Sequence, residues 1–252
     1  MFTAPKRSRD ILNLADVCYK RKIEFRFVPD IPRLISQYSV VTNISGIPPI
    51  FGIKSIAISG WGRIAKRAAD IVVSLTALII FSPILLFTAL VIKLTDFGPI
   101  FYKQERVGRE DKVFDFYKFR SMRTDADKFA TWTIKNDPRI TKIGKIIRKT
   151  SIDELPQLIN VLNGEMSVVG PRPEQPKYVE EFSKEIPRYN YRHRVKGGIT
   201  GWSQVNGLRG DTSIEERAKY DLYYIENWNL LFDLKIILLT IKTIFFTPGH
   251  TN

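Results

Sequence analysis

Two adjacent carboxylates, Asp153 and Glu154, lie at the front of the leucine-rich stretch TSIDELPQLINVL, residues 150–162. Paired carboxylates serve as nucleophile or general base, and their oxygens bind hard cations such as Mg²⁺. The same acids also suit a structural role, because the positive end of the helix dipole stabilises acids in a first helical turn. From this stretch alone, helix capping and chemistry are equally good explanations.

The stretch after the acids is predicted to be an amphipathic helix, because apolar residues recur at i, i+3, i+4 and i+7. This face comprises Leu155, Leu158, Ile159 and Leu162. Ser151, three residues before Glu154, fits a capping box. Pro156 is tolerated only near a helix start, so both acids are expected in the first turn.

Composition limits which side chains can do chemistry. The chain has 252 residues, of which 44% are hydrophobic, enough for one sizeable domain. Cys18 is the only cysteine, which excludes an internal disulfide and a cysteine-type zinc site. His193 and His250 are the only histidines, so a histidine cluster is not expected. Acid, base or nucleophile chemistry would therefore fall to carboxylates.

The charge balance favours polyanionic partners, with 39 Lys and Arg against 26 Asp and Glu and a formal net charge of +13. Residues 114–123 interleave aromatic and basic side chains, a pattern that can suit single-stranded nucleic acid. A half-buried element beside a membrane shows the same pattern, and no nucleic-acid partner is predicted. The chain has no Walker A motif and no G-x-G-x-x-G after a strand, which argues against those modes of nucleotide binding.

The strongest single feature is the uncharged stretch IVVSLTALIIFSPILLFTALVI, residues 71–92. As a helix it would measure roughly 33 Å at about 1.5 Å per residue, enough to cross the ~30 Å hydrocarbon layer. The chain is therefore predicted to be a membrane protein. Cations flank the stretch almost equally, with Lys54, Arg63, Lys66 and Arg67 before it and Lys93, Lys103, Arg106, Arg109 and Lys112 after it. This balance gives little positive-inside bias and indicates that both ends lie on the cytoplasmic side.

A Ser82-Pro83 pair lies in the middle of this stretch. Pro83 removes the hydrogen bond to the carbonyl of Ile79, and the Ser82 hydroxyl can bond to a freed carbonyl one turn back. Each half is about a dozen residues, or roughly 18 Å, and reaches only mid-bilayer. Physical reasoning leaves two alternatives open: a re-entrant helix that breaks here, and a proline-kinked spanning helix.

Several cations lie near the acids or in turns. Arg148 precedes the acids in a run of basic residues. Arg172 lies between Pro171 and Pro173, which fix the backbone so that the guanidinium is presented at little ordering cost. Arg209 lies in the glycine-rich stretch of residues 196–211. Because arginines bind phosphate bidentately, these features and the membrane segment together favour phosphoryl transfer at a membrane surface.

The two ends of the chain give weaker signals. Residues 22–28, KIEFRFV, alternate like a strand, and the stretch from there to Gly52 is too small for an independent domain. Near the end, residues 229–246 place an apolar set on one helical face, with Lys235 and Lys242 on another. The apolar set is Leu231, Leu234, Leu238 and Ile241. Membrane-interface and buried-core helices fit this pattern equally well.

Five ordered motifs stand out along the chain: KRAADIVVSLTALIIFSPILL, GPIFYKQERVG, FYKFRSM, TSIDELPQLINVLNGEMSVVGPRP and GITGWSQVNGLRG. Together they closely resemble those of the bacterial sugar transferase family, the monotopic polyprenyl-phosphate phosphoglycosyl transferases of exopolysaccharide, capsule and glycan assembly. The resemblance covers residues 61 to about 246. It implies a protein of the bacterial inner membrane whose catalytic domain faces the cytoplasm.

The fold implied by this resemblance is α+β and mainly helical. Residues 61–95 would form a re-entrant membrane helix broken at Ser82-Pro83, and residues 96–252 a cytoplasmic catalytic domain with amphipathic interfacial helices. Residues 1–60 resemble the remnant of an N-terminal Rossmann-like domain and its linker, so the chain is expected to be a truncated form or a fragment. Lys196-Gly197-Gly198 replaces the usual Lys-Pro-Gly, which is expected to loosen that turn.

The activity implied by the resemblance is Mg²⁺-dependent transfer of a sugar 1-phosphate from a UDP-sugar to undecaprenyl phosphate, with release of UMP. This step starts an exopolysaccharide or capsule repeat unit. Asp153 would be the nucleophile that forms a covalent phosphosugar intermediate, and Glu154 would help to hold the metal. The motifs VNGLRGD and YDLYYIENWNLLFDLKI most resemble those of members that transfer glucose 1-phosphate, with galactose as the next choice.

The resemblance also implies which cations bind substrate. Lys118 and Arg148 would meet phosphates near the membrane, and Arg172 would help to seat the uridine nucleotide. Arg120 and Arg209 complete the predicted substrate-binding set. The expected partners are the UDP-sugar, undecaprenyl phosphate, the lipid bilayer and a second copy of the chain. Two rival functions are a non-enzymatic membrane scaffold of polysaccharide assembly and a lipid-linked pyrophosphatase.

Overall fold

The computed structural model describes residues 16–18, 26–27, 39–42, 50–53, 57–124, 126, 137–210 and 212–246. The chain divides into two compact units, Met1–Ser55 and Ile56–Asn252. The division lies close to the boundary expected at residue 60. The predicted membrane segment belongs to the same unit as the predicted catalytic domain.

The first unit contains a three-stranded antiparallel sheet. Its strands are β1 (Arg26–Phe27), β2 (Ser39–Thr42) and β3 (Ile50–Ile53), in the order β1-β3-β2. Strand β1 lies within the predicted strand of residues 22–28, whose other residues fall outside the described part of the chain. The Rossmann-like origin of this unit stays a prediction.

The second unit begins with α1 (Gly60–Asp96), a helix of 37 residues. At about 1.5 Å per residue it is roughly 55 Å long. Its segment Gly60–Thr95 is long and apolar enough to cross a membrane, and only 11% of its most apolar window is buried in the protein. A core helix of a soluble protein would be mostly buried, so the exposure supports a membrane-embedded segment.

The backbone of α1 remains helical through Ser82 and Pro83. The Ser82 hydroxyl donates a hydrogen bond to the carbonyl of Ile79 at 2.8 Å, as predicted. This bond replaces the one that Pro83 cannot make and allows the helix to continue. The helix is a single element here, and re-entry into the membrane stays a prediction.

The first turns of α1 are bound to the rest of the unit by polar contacts. Lys66 forms a buried ion pair with Asp233 at 2.7 Å. Asp70 accepts hydrogen bonds from the Ser167 hydroxyl at 2.9 Å and the amide of Val168 at 3.0 Å. Helix α1 is thus attached to the remainder of the unit through specific side chains.

A β-hairpin follows α1. Strands β4 (Phe101–Val107) and β5 (Val113–Phe119) pair antiparallel and are joined through a 3₁₀ turn at Arg109–Asp111. Strand β5 buries Phe116 and Phe119 at 1% and 2% exposure. Alternation along a strand then directs Lys118 to the opposite side from Phe119.

Helices and two short strands complete the unit. In chain order they are α2 (Lys142–Lys149), a 3₁₀ turn (Ile152–Glu154), α3 (Gln157–Asn163), β6 (Met166–Val169), α4 (Pro176–Glu185), a 3₁₀ helix (Tyr189–Arg194), β7 (Gly197–Thr200), α5 (Trp202–Val205), α6 (Ile214–Asn227) and α7 (Leu230–Phe246). Strands β6 and β7 pair in parallel. The predicted α+β, mainly helical class is confirmed at this level.

Gly197 and Gly198 are the first residues of β7, so the turn that was expected to loosen is a strand. Both glycines are buried. A Cβ on Gly197 would lie 3.1 Å from the ring of Pro173, and Gly198 has no room for one. The strand therefore packs closely against the segment that carries Arg172.

Helix α7 presents the predicted apolar face to the outside. Leu231 and Leu238 are 78% and 58% exposed, whereas Ile236 on another face is fully buried. The buried-core alternative is therefore wrong for this face. An exposed leucine-rich face fits the predicted interfacial helix.

Candidate active site

The two acids lie in the 3₁₀ turn between α2 and α3, and α3 itself begins after Pro156. The predicted capping box is wrong. Ser151 has a left-handed backbone, with φ at 56°, and its side chain makes no capping hydrogen bond. The amide of Glu154 instead donates to the backbone carbonyl of Ser151 at 3.1 Å. The two acids therefore lie in a separate 3₁₀ turn before α3 and not in the first turn of that helix, where they were predicted.

The carboxylate of Glu154 is held by two cations. Lys118 Nζ lies 2.9 Å from Oε1. Arg172 binds bidentately, with Nη2 at 2.5 Å from Oε1 and Nη1 at 3.3 Å from Oε2. Burial alone would raise the pKa of Glu154, but the charges of Arg172 and Lys118 hold it well below its usual range. Glu154 is therefore ionised and fixed in position.

Asp153 has a different environment. It is 7% exposed, and within the described part of the chain its carboxylate accepts no hydrogen bond. Burial is the main cause that raises its pKa to about 6, and the charge of Glu154 adds to it, whereas Lys118 and Arg148 oppose the shift. At neutral pH Asp153 is mostly ionised, and no residue that the structure describes donates a hydrogen bond to it. Neighbouring acids with such unequal environments are typical of acid, base or nucleophile sites.

The segment that presents Arg172 is held at four successive carbonyls. Pro171 and Glu174 accept from the amides of Gly198 and Val107 at 2.8 and 2.9 Å. The carbonyl of Arg172 accepts from Arg192 at 2.8 Å, and that of Pro173 accepts from Arg106 at 3.1 Å. These four hydrogen bonds, together with the two prolines, hold the segment in place.

Strand β5 is fixed to α3 by Asn160, which is fully buried. Its Oδ1 accepts from the amide of Tyr117 at 3.1 Å, and its Nδ2 donates to the carbonyl of Asp115 at 2.6 Å. The strand that carries Lys118 is thereby bound to the helix that follows the acids. Asn160 thus helps to set the distance between Lys118 and Glu154.

Two more of the predicted cations lie close enough to act on the acids or on Arg172. Arg148, in the last turn of α2, lowers the pKa of Asp153, and its buried Nε has no hydrogen-bond partner in the described part. Arg209 donates from Nε to the carbonyl of Gln204 at 3.1 Å. Burial lowers the pKa of Arg209, and the charge of Arg172 lowers it further.

Arg120 was also predicted to bind substrate, but the structure places it in buried packing contacts. It is 6% exposed, and its guanidinium packs against Gly98, where a Cβ would clash with it. Its amide donates to the carbonyl of Ile100 at 2.9 Å. These contacts secure the connection between α1 and β4, and a substrate-binding role for Arg120 stays a prediction.

Gln157 and Arg106 were missed by the sequence argument. Gln157, one turn after Asp153, is fully buried, and neither carboxamide atom has a hydrogen-bond partner in the described part. Arg106 lies 5.3 Å from the ring of Phe116, and it contacts Glu174 at 3.3 Å. Arg106 lies in the motif GPIFYKQERVG, but the sequence of this motif does not reveal that the arginine supports the Arg172 segment.

A metal at this site would need ligands from its substrate. Among the described residues, no group of three or more His, Cys, Asp or Glu side chains is arranged to hold a metal ion. Both oxygens of Glu154 already contact cations, whereas those of Asp153 have no such donor. Mg²⁺ often takes one or two carboxylates and completes its shell with phosphate oxygens and water. The pair fits a magnesium ion of that kind.

Several proteins of known family are similar to this chain. The UDP-glucose:undecaprenyl-phosphate glucose-1-phosphate transferase of Escherichia coli strain K12 is 43% identical over 219 residues, which are 85% of this chain and 47% of that relative. An N-acetylgalactosaminephosphotransferase of Aeromonas hydrophila, which is named for UDP-N-acetylgalactosamine and undecaprenyl phosphate, is 46% identical over 182 residues, 71% of this chain and 43% of that relative. The exopolysaccharide production protein PSS of Rhizobium leguminosarum bv. phaseoli is 46% identical over 187 residues, 71% of this chain and 94% of that protein.

The chain spans less than half the length of the two larger transferases and nearly all of the Rhizobium protein. The bacterial sugar transferase family matches residues 61–247, which include all of α1 except Gly60, the two acids and every cation of the site. This match covers well over half of the chain. The chain therefore belongs to the bacterial sugar transferase family, whose members are enzymes.

Proposed function

We propose that this chain transfers a sugar 1-phosphate from a UDP-sugar to undecaprenyl phosphate and releases UMP, the first step of an exopolysaccharide or capsule repeat unit. The observation that carries the proposal is the unequal state of the two acids. Glu154 is held by Lys118 and Arg172, while Asp153 is buried, mostly ionised at neutral pH and without a hydrogen-bond donor in the described part. Such a carboxylate is suited to attack phosphorus.

In the first step, a carboxylate oxygen of Asp153 attacks the phosphorus that bears the sugar. A bond forms between this oxygen and phosphorus, and the bond from phosphorus to the bridging oxygen of the diphosphate breaks. UMP leaves with the bridging oxygen and its electron pair. The sugar 1-phosphate is then attached to Asp153 as an acyl phosphate.

In the second step, a phosphate oxygen of undecaprenyl phosphate attacks the same phosphorus. A new diphosphate linkage forms, and the bond between phosphorus and the Asp153 oxygen breaks. The carboxylate of Asp153 is regenerated. The protein supplies only one nucleophile, Asp153, because the lipid phosphate is the nucleophile of the second displacement. Glu154 is not needed as a nucleophile, which agrees with its fixed, salt-bridged state.

The cations around the acids are assigned to the phosphates and the nucleotide. Lys118 and Arg148 would bind phosphate oxygens as negative charge shifts during each displacement. Arg172 and Arg209 would bind the nucleotide side of the donor. A guanidinium has five N–H donors, so Arg172 retains donors for substrate while it holds Glu154.

Asp153 and Glu154, with substrate phosphate oxygens, would hold the Mg²⁺ ion, which would supply positive charge to the diphosphate. The exposed apolar surface of α1 supports a location in the membrane, where the lipid acceptor lies. We favour glucose as the sugar, followed by galactose. The relatives include both a glucose 1-phosphate and an N-acetylgalactosamine phosphate transferase, so the donor must be tested.

The test is UMP release from UDP-glucose by detergent-solubilised protein with Mg²⁺, with and without undecaprenyl phosphate. UDP-galactose and UDP-N-acetylgalactosamine are tested in parallel. We expect lipid-dependent UMP release and a sugar-diphospholipid product, and no turnover in Asp153→Asn. The amide keeps the shape of the side chain, so a scaffold would be unaffected by it. If the wild type released no UMP from any of the UDP-sugars, the proposed function would be contradicted. Free sugar phosphate as the product would identify a pyrophosphatase.

A further inference from the structure

We propose that Arg192 and Asp221 form a buried positioning pair that aligns both nucleotide-side arginines, Arg172 and Arg209. The inference rests on the proposed function for the roles of those two arginines. Neither Arg192 nor Asp221 contacts the acid pair directly. Their effect would pass through the segments that carry Arg172 and Arg209.

The first arm of the arrangement leads to Arg172. Arg192 Nη2 lies 2.8 Å from Asp221 Oδ2 and also donates to the backbone carbonyl of Arg172 at 2.8 Å. Its Nη1 donates to the hydroxyl of Tyr189 at 2.6 Å. The guanidinium is therefore fixed on two sides while it holds the residue that binds Glu154.

The second arm leads to Arg209. The other oxygen of Asp221, Oδ1, accepts from the hydroxyl of Ser203 at 2.8 Å. Ser203 lies in the short helix α5, and the carbonyl of the next residue, Gln204, accepts from Arg209 Nε at 3.1 Å. Asp221 thus contacts both Arg192, which binds the carbonyl of Arg172, and helix α5, which orients Arg209.

The pair is buried to a degree that stability alone does not explain. The side chains of Arg192 and Asp221 are only 3% and 1% exposed. Removing two charges from water is costly, and apolar residues of similar volume often stabilise a protein at least as well. The planar guanidinium of Arg192 makes directional hydrogen bonds to the Tyr189 hydroxyl and the Arg172 carbonyl, and its contact with Asp221 Oδ2 is an ion pair; an apolar residue could make none of these contacts. The geometry therefore favours alignment of the two segments as the role of the pair.

The matched variants are Ser203→Ala, Arg192→Lys and the control Tyr224→Phe. Ser203→Ala and Tyr224→Phe each remove one buried hydroxyl that donates to an aspartate, but Tyr224 donates to Asp233 at 2.7 Å instead of to Asp221. Arg192→Lys keeps the charge but cannot bind Tyr189, Asp221 and the Arg172 carbonyl with a rigid fork. All three proteins are compared at a temperature where thermal unfolding shows them folded.

For Ser203→Ala we expect the KM for the UDP-sugar to rise about three- to tenfold with kcat within about twofold, because only the Arg209 arm is loosened. For Arg192→Lys we expect kcat to fall about tenfold or more, since small displacements of positioning groups have large effects on rate. Tyr224→Phe should change both constants by less than about twofold. If Ser203→Ala and Arg192→Lys behave like Tyr224→Phe, the positioning role is wrong.

A readout without substrate separates this inference from the proposed function. The amides of Gly198 and Val107 donate to the Arg172 segment, so hydrogen–deuterium exchange at both should accelerate in Arg192→Lys and remain unchanged in Tyr224→Phe. Unchanged exchange in Arg192→Lys would overturn the positioning role even if the wild type had no transferase activity. Accelerated exchange with an inactive wild type would support the alignment and reject only the proposed reaction.

Discussion

Arg172 and Glu154 form a bidentate ion pair, in which two guanidinium nitrogens lie 2.5 and 3.3 Å from the two carboxylate oxygens. Their side chains are 28% and 24% exposed, so the pair lies at the edge of the site, within reach of a substrate. A guanidinium that binds a carboxylate bidentately is held in the plane of that carboxylate. This also fixes which of its remaining N–H groups point toward a ligand.

Arg172→Lys tests this pair. A lysine keeps the charge but makes a single contact with Glu154, so the carboxylate loses its fixed orientation and its pKa rises toward the usual range. We expect kcat to fall by about ten- to a hundredfold, measured as UMP release from the UDP-sugar. Arg63→Lys, a change at an exposed arginine of α1, is the control. Equal rates in the two variants would argue against a role for the bidentate geometry.

Asp153→Asn should have a pH-dependent effect on stability. The pKa of Asp153 is raised to about 6, mainly by burial, so the folded state binds more protons than the unfolded state between about pH 4 and 6. The cost of the buried charge is thus absent below the unfolded pKa and fully present above pH 6. The asparagine variant should be more stable than wild type at pH 7.5, by about 1–3 kcal/mol, and lose this advantage near pH 4.

Thermal unfolding in detergent at both pH values measures this difference. Asp115→Asn serves as the control, because the Asp115 side chain is 51% exposed and its distant contact with Lys103, at 3.6 Å, is also exposed. A stability gain for Asp153→Asn that is the same at pH 4 and pH 7.5 would show that the buried charge is not its cause.

Asn160→Asp should weaken the attachment of β5 to α3. The substitution removes the donor to the Asp115 carbonyl and brings a second carboxylate toward Glu165, which Asn160 contacts at 2.7 Å. A buried hydrogen-bonded group lost in this way costs about 1–3 kcal/mol or more when charge is involved. Chemical or thermal unfolding should show this loss, whereas Asn163→Asp, at an exposed position of α3, should show little. Equal stability of the two variants would mean that the Asn160 contacts contribute nothing.

The predicted re-entrant topology can be tested by labelling from one side of the membrane. Trp61 and Phe97, at the two ends of α1, are 84% and 86% exposed. Each is replaced by cysteine in a Cys18→Ser background, where no other thiol exists. If both ends are cytoplasmic, a membrane-impermeant thiol reagent should label both in inside-out vesicles and neither in right-side-out cells. Opposite labelling of the two ends would establish a spanning helix.

Local patterns in the sequence predicted several features that lie within a few residues of each other. The Ser82 bond to Ile79 and the two prolines that flank Arg172 depend on short-range geometry, and the bond is present. Helical spacing also predicted which residues share the apolar face of α7, although it left open whether that face is exposed or buried. These features could be predicted because each is determined by its own segment.

Other features depend on tertiary contacts that spacing does not reveal. The predicted apolar face of α3 included Ile159, which is 39% exposed, whereas the polar residues Gln157 and Asn160 are fully buried. Because α3 is a two-turn helix that contacts α1, β5 and β6, it has no single buried face. The Ser151 cap failed for a similar reason, since the 3₁₀ turn gives this residue a left-handed backbone.

The polar contacts of α1 extend to the helix that follows the acids. Arg67 donates from Nη1 and Nη2 to the carbonyls of Val161 and Leu162, at 2.5 and 2.8 Å, where α3 ends. The amide of Gly164, the left-handed C-cap residue of α3, also donates to the Val161 carbonyl, so α1 adds a second set of donors to the C-terminal cap of α3. The apolar helix predicted to lie in the membrane is therefore also a structural component of the site, and a fragment cut after α1 would lose part of the scaffold that holds its acids.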